Sequence, residues 1–229
     1  MDPNFAHKQA AALRAADLVE HGMVVGLGTG STATLFIAEL IARAAAGLKI
    51  RCVPTSERSA AQARDGGLEV IGFDATKFID LAVDGADEIT TIGLDLIKGL
   101  GGALLREKIV ASAAREFVVI ADASKMVDRL GMRAPVPVEV TPFGHELTAS
   151  RLANLGADVV LRAGVGVAAY VTDGGNFILD CHFGRIAEAR ALDDTIRSIV
   201  GVVETGIFAG MTHRVLIASE TGVAELRAG

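Results

Sequence analysis

The sequence contains no Trp and a single Tyr among its 229 residues, so nine Phe residues supply almost all of its aromatic content. Hydrophobic residues nevertheless make up 51% of the chain, and there are 26 Gly, which indicates a core of Ala, Val, Leu and Ile. Small aliphatic side chains and glycines are typical of parallel α/β proteins, whose helices pack closely on a sheet buried on both faces. The length suits one large domain, or one domain with a smaller appendage.

Positive charge is also scarce. The 22 Lys and Arg are outnumbered by 28 Asp and Glu, which gives a formal net charge of −6. This balance argues against a basic surface for nucleic acid. A phosphate would have to be bound locally, by backbone N–H groups and a few lysines, rather than by the overall field of the protein.

Cysteine is limited to Cys52 and Cys181, which lack the spacing of metal ligands and lie in apolar, strand-like segments. We therefore predict buried thiols in a reducing compartment that do not bind a metal. No apolar run approaches the ~20 residues of a membrane span. The first residues lack the basic-then-apolar layout of a signal peptide. The expected location is the cytoplasm, with neither a membrane nor a nucleic acid as partner.

A glycine turn follows the first predicted strand. Met23–Leu27 has the composition of a short buried strand, residues 26–32 read Gly-Leu-Gly-Thr-Gly-Ser-Thr, and a helix is predicted from about residue 31 to 46. Such a turn exposes backbone N–H groups at the positive end of a helix dipole, and its hydroxyls add further donors. The pattern predicts a phosphate site at Thr29, Gly30, Ser31 and Thr32.

This turn differs from the nucleotide-binding motifs. Its sixth position is Ser31 instead of a third glycine, and no Gly-Lys-Ser/Thr closes it. The next predicted strand, Leu48–Val53, ends without the ribose-binding acid of dinucleotide sites, and Thr55 and Ser56 stand there instead. A small phosphorylated ligand is favoured, although a glycine turn with a Ser/Thr helix cap stays open as the simpler interpretation.

Charged residues gather around a second group of glycines, and they are Asp84, Asp87, Glu88, Lys98 and Glu107. Acids at the end of a buried strand are costly unless they are paired or used. In an open α/β sheet, ligands bind at the carboxyl ends of strands. If these residues form a site, they supply carboxylates for proton transfer and a cation for a developing oxyanion. The alternative interpretation is that they are surface residues around ordinary turns, with no catalytic role. Of the five, Glu88 is expected to cap or pair structurally.

Strands and helices alternate over residues 1–125, which predicts a doubly wound parallel sheet. The later order β-α-β-β-α-β is that of the split-βαβ plait, and the last apolar strand is predicted to return to the first sheet. We therefore predict an α/β protein. Its Rossmann-like, mostly parallel sheet domain comprises residues 1–131 and 208–229, with an inserted ferredoxin-like α+β domain at 132–207.

Taken together, these segments resemble the type A ribose-5-phosphate isomerases over essentially the whole chain. The motifs that carry the resemblance are Gly-Leu-Gly-Thr-Gly-Ser-Thr at 26–32, Pro54-Thr-Ser, Asp84-Gly-Ala-Asp-Glu-Ile, Lys98-Gly-Leu-Gly-Gly-Ala-Leu-Leu-Arg-Glu-Lys, Ala121-Asp-Ala-Ser-Lys125 and Gly201-Val-Val-Glu-Thr-Gly-Ile-Phe208. The chain departs from the family pattern where Leu100 replaces a glycine, Gly102 an alanine and Leu105 a common Thr. None of these positions is charged.

The resemblance implies an enzyme that interconverts ribose 5-phosphate and ribulose 5-phosphate in the non-oxidative pentose phosphate pathway. It implies no metal and no cofactor, and a homodimer or homotetramer. Glu107 would be the general base, Asp84 and Asp87 an acidic pair, and Lys98 the catalytic lysine. The implied substrate-binding residues are Lys8, Thr29, Gly30, Ser31, Thr32, Asp84, Gly85, Ala86, Asp87, Lys98, Gly99, Leu100, Gly101 and Lys125.

Two other functions compete with this interpretation. A non-catalytic sugar-phosphate sensor of related fold would normally carry a DNA-binding element and a basic face, which the acidic composition disfavours. A nucleotide-dependent dehydrogenase or transferase is disfavoured by the missing third glycine and the missing ribose acid. His182 and His213 lack a companion acid pattern, so we predict structural or interfacial roles for them.

Overall fold

The computed structural model describes residues 4–164, 166 and 168–228. Within them the helices are Phe5–Ala16 (α1), Ser31–Ala45 (α2), Glu57–Asp65 (α3), Leu104–Ser112 (α4), His145–Ala153 (α5) and Ala189–Arg197 (α6). The strands are Val24–Leu27 (β1), Arg51–Pro54 (β2), Glu69–Val70 (β3), Ile79–Asp84 (β4), Glu88–Thr90 (β5), Leu96–Ile97 (β6), Ala114–Asp122 (β7), Met126–Val127 (β8), Val136–Val140 (β9), Asp158–Leu161 (β10), Phe177–His182 (β11), Val202–Thr205 (β12), Ile207–Phe208 (β13), Arg214–Ser219 (β14) and Gly222–Arg227 (β15).

The chain divides into two compact units. The first, here called the sheet unit, spans Met1–Ala86, Arg106–Lys125 and Met211–Gly229. The second, called the plait unit, spans Asp87–Leu105 and Met126–Gly210. Each unit has its own buried apolar cluster.

The sheet unit is built on a sheet in the order β15-β14-β7-β4-β1-β2-β3. Every neighbouring pair is parallel except β14 with β15, so the predicted doubly wound, mostly parallel sheet is confirmed. The return of the last predicted strand is also confirmed, because β14 pairs in parallel with β7. Buried aliphatic residues of β1, β4 and β7 form the core together with α1 and α2.

The plait unit contains the sheet β10-β11-β9-β12, in which all neighbouring strands are antiparallel. Helices α5 and α6 connect its strands, so the chain order is β-α-β-β-α-β as predicted. When only these four strands are numbered in chain order, their order in the sheet is 2-3-1-4, which is that of the ferredoxin-like plait.

A second sheet of the plait unit, β13-β6-β5-β8, was not expected from the sequence. Its strands are two or three residues long, too short to show a two-residue period. The sheet matters for the site because β5 follows Asp87 directly and β6 ends at Ile97, one residue before Lys98.

Two helices are shorter than their sequence pattern predicts. Helical spacing extends over residues 5–21, but α1 ends at Ala16, and Val19 enters the core from the turn that follows. Similarly, the helical pattern of the sequence begins at Ile186, whereas α6 begins at Ala189, because Ile186 donates its backbone N–H to Leu130 and is buried there. In both cases an apolar side chain continues the helical period without belonging to the helix.

Both cysteines are free and buried, as predicted. Across the described residues, no His, Cys, Asp and Glu side chains form a group of three that could hold a metal ion. No helix in the same part of the chain is long and apolar enough to cross a membrane.

Candidate active site

The first glycine turn, residues 26–30, links β1 to α2. Gly30 has a φ of +128° and directly precedes the first residue of the helix, Ser31. The side chain of Lys8, from α1, donates a hydrogen bond from Nζ to Ser31 Oγ at 3.0 Å. The structure therefore brings a lysine to the N-terminus of a 15-residue helix, where backbone N–H groups and the helix dipole favour an anion.

Thr29 directs its hydroxyl away from this helix end, into a buried cluster of hydroxyl groups. Its Oγ1 lies 2.7 Å from Thr55 Oγ1 and 2.8 Å from Ser56 Oγ. Ser59 Oγ donates to the carbonyl of Gly28 at 2.7 Å. Four hydroxyls on three segments thus tie the turn to the end of β2 and the start of α3. Ser56 also caps α3 by accepting from the Ser59 backbone N–H.

Asp84, the last residue of β4, lies against the same turn and is buried. Its Oδ1 accepts hydrogen bonds from the backbone N–H groups of Thr29 at 3.0 Å and Gly85 at 2.7 Å. A side chain at Gly28 would overlap the Asp84 carboxylate, so only glycine permits this close approach. Hydrogen bonds from backbone N–H groups to a carboxylate are strong, and they fix the position of Asp84.

Glu107 lies in the first turn of α4 and is buried. Its neighbour Arg106 donates to Glu57 of α3 at 2.8 Å, and this contact lowers the pKa of Glu57. A side chain at Gly26 would collide with Val110, so α4 packs directly on β1. Glu107 is therefore placed by a helix that is fixed on the sheet.

Lys125 follows β7 in a short 3-10 turn, Ala123–Lys125. The turn is shaped by buried Asp122, which accepts from the Ser124 backbone N–H at 3.0 Å and from Asn4 Nδ2 at 3.3 Å. Lys125 therefore lies just beyond the carboxyl end of a central strand of the sheet.

The plait unit carries the remaining predicted residues on a segment that we call the lysine turn, residues 98–102. Asp87 accepts a hydrogen bond at Oδ2 from the backbone N–H of Leu100 at 3.0 Å. Lys98 is buried, donates its backbone N–H to Gly206 at 2.9 Å, and places Nζ 5.6 Å from the centre of the Phe208 ring. The structure therefore brings Asp87 and the lysine turn together.

Glu88 has the structural role expected of it. It is fully buried, and its carboxylate accepts from the backbone N–H groups of Gly131 at 2.6 Å, Arg133 at 2.5 Å and Ala134 at 2.8 Å. Three such donors occupy the carboxylate and anchor the chain between β8 and β9.

His213 is also structural, as predicted. Its Nδ1 accepts a hydrogen bond from the backbone N–H of Phe117 at 3.1 Å, at the edge between β7 and β14. His182 lies exposed at the end of β11, and its role stays a prediction.

The comparison with known proteins decides the family. The model of the family described as ribose 5-phosphate isomerase A (phosphoriboisomerase A) matches residues 51–222. The chain belongs to this family. A ribose-5-phosphate isomerase A of Gluconobacter oxydans is 56% identical over 218 residues, which cover 95% of this chain and 94% of that protein.

Solved structures of ribose 5-phosphate isomerases have the same fold. The Methanocaldococcus jannaschii ribose 5-phosphate isomerase A superposes with a TM-score of 0.94 at 41% identity, over 98% of this chain and 99% of the other. A D-ribose-5-phosphate isomerase in complex with phospho-erythronic acid gives a TM-score of 0.94 at 39% identity, over 97% and 98% of the two chains. The expected family and fold class are confirmed.

Sequence reasoning selected the charged residues of the candidate site but missed several residues that hold its turns in place. Thr55 and Ser56 belong to a family motif, yet nothing in the sequence showed that they bond to Thr29. Ser59 carries one usable signal, since it stands three residues after Ser56, and serine is a favoured helix N-cap residue that accepts from the third residue along. Arg162 donates to the lysine turn from the far end of β10, and a lone arginine in a loop gives no local signal.

A pocket of about 400 Å³ lies in the sheet unit beside the ends of β2 and β3. Its wall is mostly apolar, with Phe73 and Ile109 among the lining residues, and it includes the paired Arg106 and Glu57. It contains none of the residues expected to bind substrate, so it is distinct from the positions described above.

Proposed function

We propose that the chain interconverts D-ribose 5-phosphate and D-ribulose 5-phosphate through a cis-enediolate, as an aldose–ketose isomerase of the non-oxidative pentose phosphate pathway. Membership of the ribose 5-phosphate isomerase A family supports this reaction. The observation that carries the proposal is the contact of Asp84 with Thr29. It joins a group suited to proton transfer to the turn best suited to hold a phosphate.

The phosphate is proposed to bind at the N-terminus of α2. Gly30, Ser31 and Thr32 offer backbone N–H groups and hydroxyls there, and Lys8 adds a positive charge 3.0 Å from Ser31 Oγ. Thr29 contributes by holding the turn, since its own amide and hydroxyl are bonded within the sheet unit. Binding energy from the phosphate, which does not react, then fixes the orientation of C1 and C2.

Glu107 is proposed as the general base. Isomerisation moves a proton from C2 of the aldose to C1 of the ketose, and one carboxylate over one face of the enediolate can remove and return it. Negative charge develops on the substrate oxygens as the proton leaves. Lys98 is assigned to that oxyanion, an interaction that typically lowers such a barrier by about 3 kcal/mol.

Asp84 and Asp87 are assigned to the two remaining steps, the opening of the furanose ring and the movement of a proton between O1 and O2. The proposal gives both steps to the pair without dividing them. The other assigned contacts to the sugar are Gly85, Ala86, Gly99, Leu100, Gly101 and Lys125. These roles rest on the family resemblance together with the positions described above.

Three broader predictions accompany this function. The catalytic domain is proposed to comprise residues 1–131 and 208–229, with the small domain at 132–207. The assembly is proposed to be a homodimer or homotetramer. The proposed location is the cytoplasm, where the sugar phosphates of this pathway are metabolised.

The test is ribulose 5-phosphate formation from ribose 5-phosphate in chelator-treated buffer, for the wild type and Glu107→Gln. We expect an active wild type and a variant that loses several orders of magnitude in kcat but still binds substrate. A wild type that binds ribose 5-phosphate without converting it would instead support the sugar-phosphate sensor.

A further inference from the structure

Arg162, which no sequence motif singles out, lies at the centre of a hydrogen-bonded network in the plait unit. Its Nη1 donates to the carbonyl oxygens of Gly99 at 2.8 Å and Leu100 at 3.3 Å. Its other nitrogens engage Asp180 of β11, with Nε 2.9 Å from Oδ2. Both charged side chains are largely buried, at 13% and 18% exposed. A bidentate carboxylate partner holds a guanidinium in one orientation.

The peptide group between Gly99 and Leu100 connects Arg162 to Asp87. A trans peptide is planar, and its C=O and N–H point in opposite directions. Here the carbonyl of Gly99 accepts from Arg162, whereas the N–H of Leu100 donates to Asp87 at 3.0 Å. Rotating this peptide would break both hydrogen bonds at once. Asp180, Arg162, one peptide plane and Asp87 therefore form a continuous chain.

Such a support matters for the lysine turn because glycines leave parts of its backbone free to adopt other conformations. Gly99 and Gly102 both have positive φ, +107° and +82°, so the backbone is permissive at both positions. Within the turn, the Gly102 N–H donates to the Gly99 carbonyl at 3.0 Å, and Arg162 is the second donor to that carbonyl.

Tyr170 contacts the other end of the turn. A side chain at Gly102 would overlap the Tyr170 hydroxyl and lie 2.5 Å from Cζ. Gly102 stands where the family pattern has an alanine, so the space of the missing methyl group is taken by this aromatic ring. Tyr170 is also joined to Arg162, since its backbone N–H donates to the Arg162 carbonyl at 2.8 Å.

We infer that Arg162 is a positioning residue for catalysis. Held in one orientation by Asp180, it fixes the Gly99–Leu100 peptide, and this peptide in turn fixes the positions of Asp87 and Lys98. The inference rests on the proposed function, because it assigns Arg162 to the isomerase reaction. Arg162 contacts the lysine turn and Asp180, and we do not assign it a contact with the substrate.

The test compares Arg162→Met with the double variant Arg162→Met/Asp180→Leu, in which no unpaired buried charge is left behind. We expect kcat for ribose 5-phosphate to fall about ten- to a hundredfold in both, because a small displacement of catalytic groups has effects of that size. Arg162→Lys retains the charge but not the fork, and should recover only part of kcat. Arg214→Met is the matched control, because Arg214 is equally buried, 11% exposed, and pairs with Glu116 in the sheet unit.

A second readout does not depend on activity. Hydrogen exchange of the Leu100 amide should accelerate about tenfold or more in Arg162→Met, because its bond to Asp87 is released, and should not change in Arg214→Met. The inference is overturned if Arg162→Met retains kcat, or if the double variant recovers kcat together with stability. An inactive wild type would remove the proposed function, while Leu100 exchange would still decide whether Arg162 orients the peptide.

Discussion

The backbone N–H of Thr29 donates to the carboxylate of Asp84 across 3.0 Å. One acceptor oxygen of Asp84 thus serves the turn beside the α2 N-terminus, and it also accepts from Gly85. A substitution at this residue has two separable effects. It changes the charge available for chemistry, and it changes whether two backbone N–H groups keep an acceptor.

We expect Asp84→Asn and Asp84→Ala to differ in their effect on phosphate binding. Both remove the charge and should lower kcat by about a hundredfold or more, the usual range for a lost acid–base group. Only Asp84→Ala leaves the Thr29 N–H without its acceptor, so only that variant should also weaken inhibition by inorganic phosphate. Steady-state kinetics with phosphate as inhibitor measures both effects.

Asp80→Asn is the control for these variants. Asp80 lies on the same strand and also accepts from a backbone N–H, that of Val24 at 2.9 Å, but it stands at the other end of β4. It should retain kcat. Equal phosphate inhibition in Asp84→Asn and Asp84→Ala would show that the Asp84–Thr29 bond does not support the turn.

Ser59→Ala should raise KM more than it lowers kcat. The change removes the donor to the Gly28 carbonyl, and leaving a buried acceptor unsatisfied costs about 1–3 kcal/mol. Because the hydroxyl cluster supports the turn and not the reacting carbons, KM for ribose 5-phosphate should rise several-fold while kcat stays within about twofold. Ser198→Ala, which removes an exposed hydroxyl in the plait unit, is the control and should change neither. A kcat loss at unchanged KM would contradict the supporting role.

The parallel sheet could be predicted from the sequence because each step of it is encoded locally. Short buried runs such as 117–121 and glycine turns such as 26–30 recur between helical patterns, and a parallel order of strands follows from that alternation. The plait was predictable because its strands and helices are also encoded locally, in the order β-α-β-β-α-β. Charged residues of the site could be selected because an acid at the end of a buried strand is costly without a use.

What could not be predicted depends on contacts between distant segments. Strand β5 is only three residues long, and it pairs with the two-residue strands β6 and β8. Segments of this length show no periodic pattern, so the pairing of Ile89 with Met126 has no signal in the sequence. The support that Arg162 gives to Gly99 spans 63 positions of sequence. Val19 lies at the spacing of the helical pattern although α1 has already ended, because its burial in the core, and not membership of a helix, requires an apolar residue there.

Glu57 should contribute to stability at neutral pH and not at acidic pH. Its hydrogen bond with Arg106 lowers its pKa below the ordinary value of 4.5 in the folded chain. The unfolded chain therefore takes up this proton first as the pH falls. The contribution is complete above about pH 4.5 and disappears as the pH falls through the lower folded-state pKa.

Urea midpoints of the wild type and Glu57→Gln test this. The variant should be less stable than the wild type at pH 7, by a small amount because both partners are solvent-accessible and the pair is screened. This deficit should be smaller at pH 3, below the ordinary pKa of 4.5. Exposed Glu220→Gln should match the wild type at both values. A deficit in Glu57→Gln that is undiminished at pH 3 would show that the carboxylate charge is not its origin.

The two thiols should be unreactive in the folded protein. Burial is the main cause that raises the pKa of both Cys52 and Cys181 to about 12. Because the thiolate is the reactive form, only about one molecule in ten thousand carries it at pH 8 at either position. Ellman's reagent at pH 8 should therefore label neither thiol over minutes in the native state, and both at once in 6 M guanidinium chloride. Labelling that is fast in the native state would mean that β2 or β11 opens readily. Adding ribose 5-phosphate would then show which strand opens. A ligand bound at the first glycine turn stabilises the sheet that contains Cys52, so it should slow the labelling of Cys52.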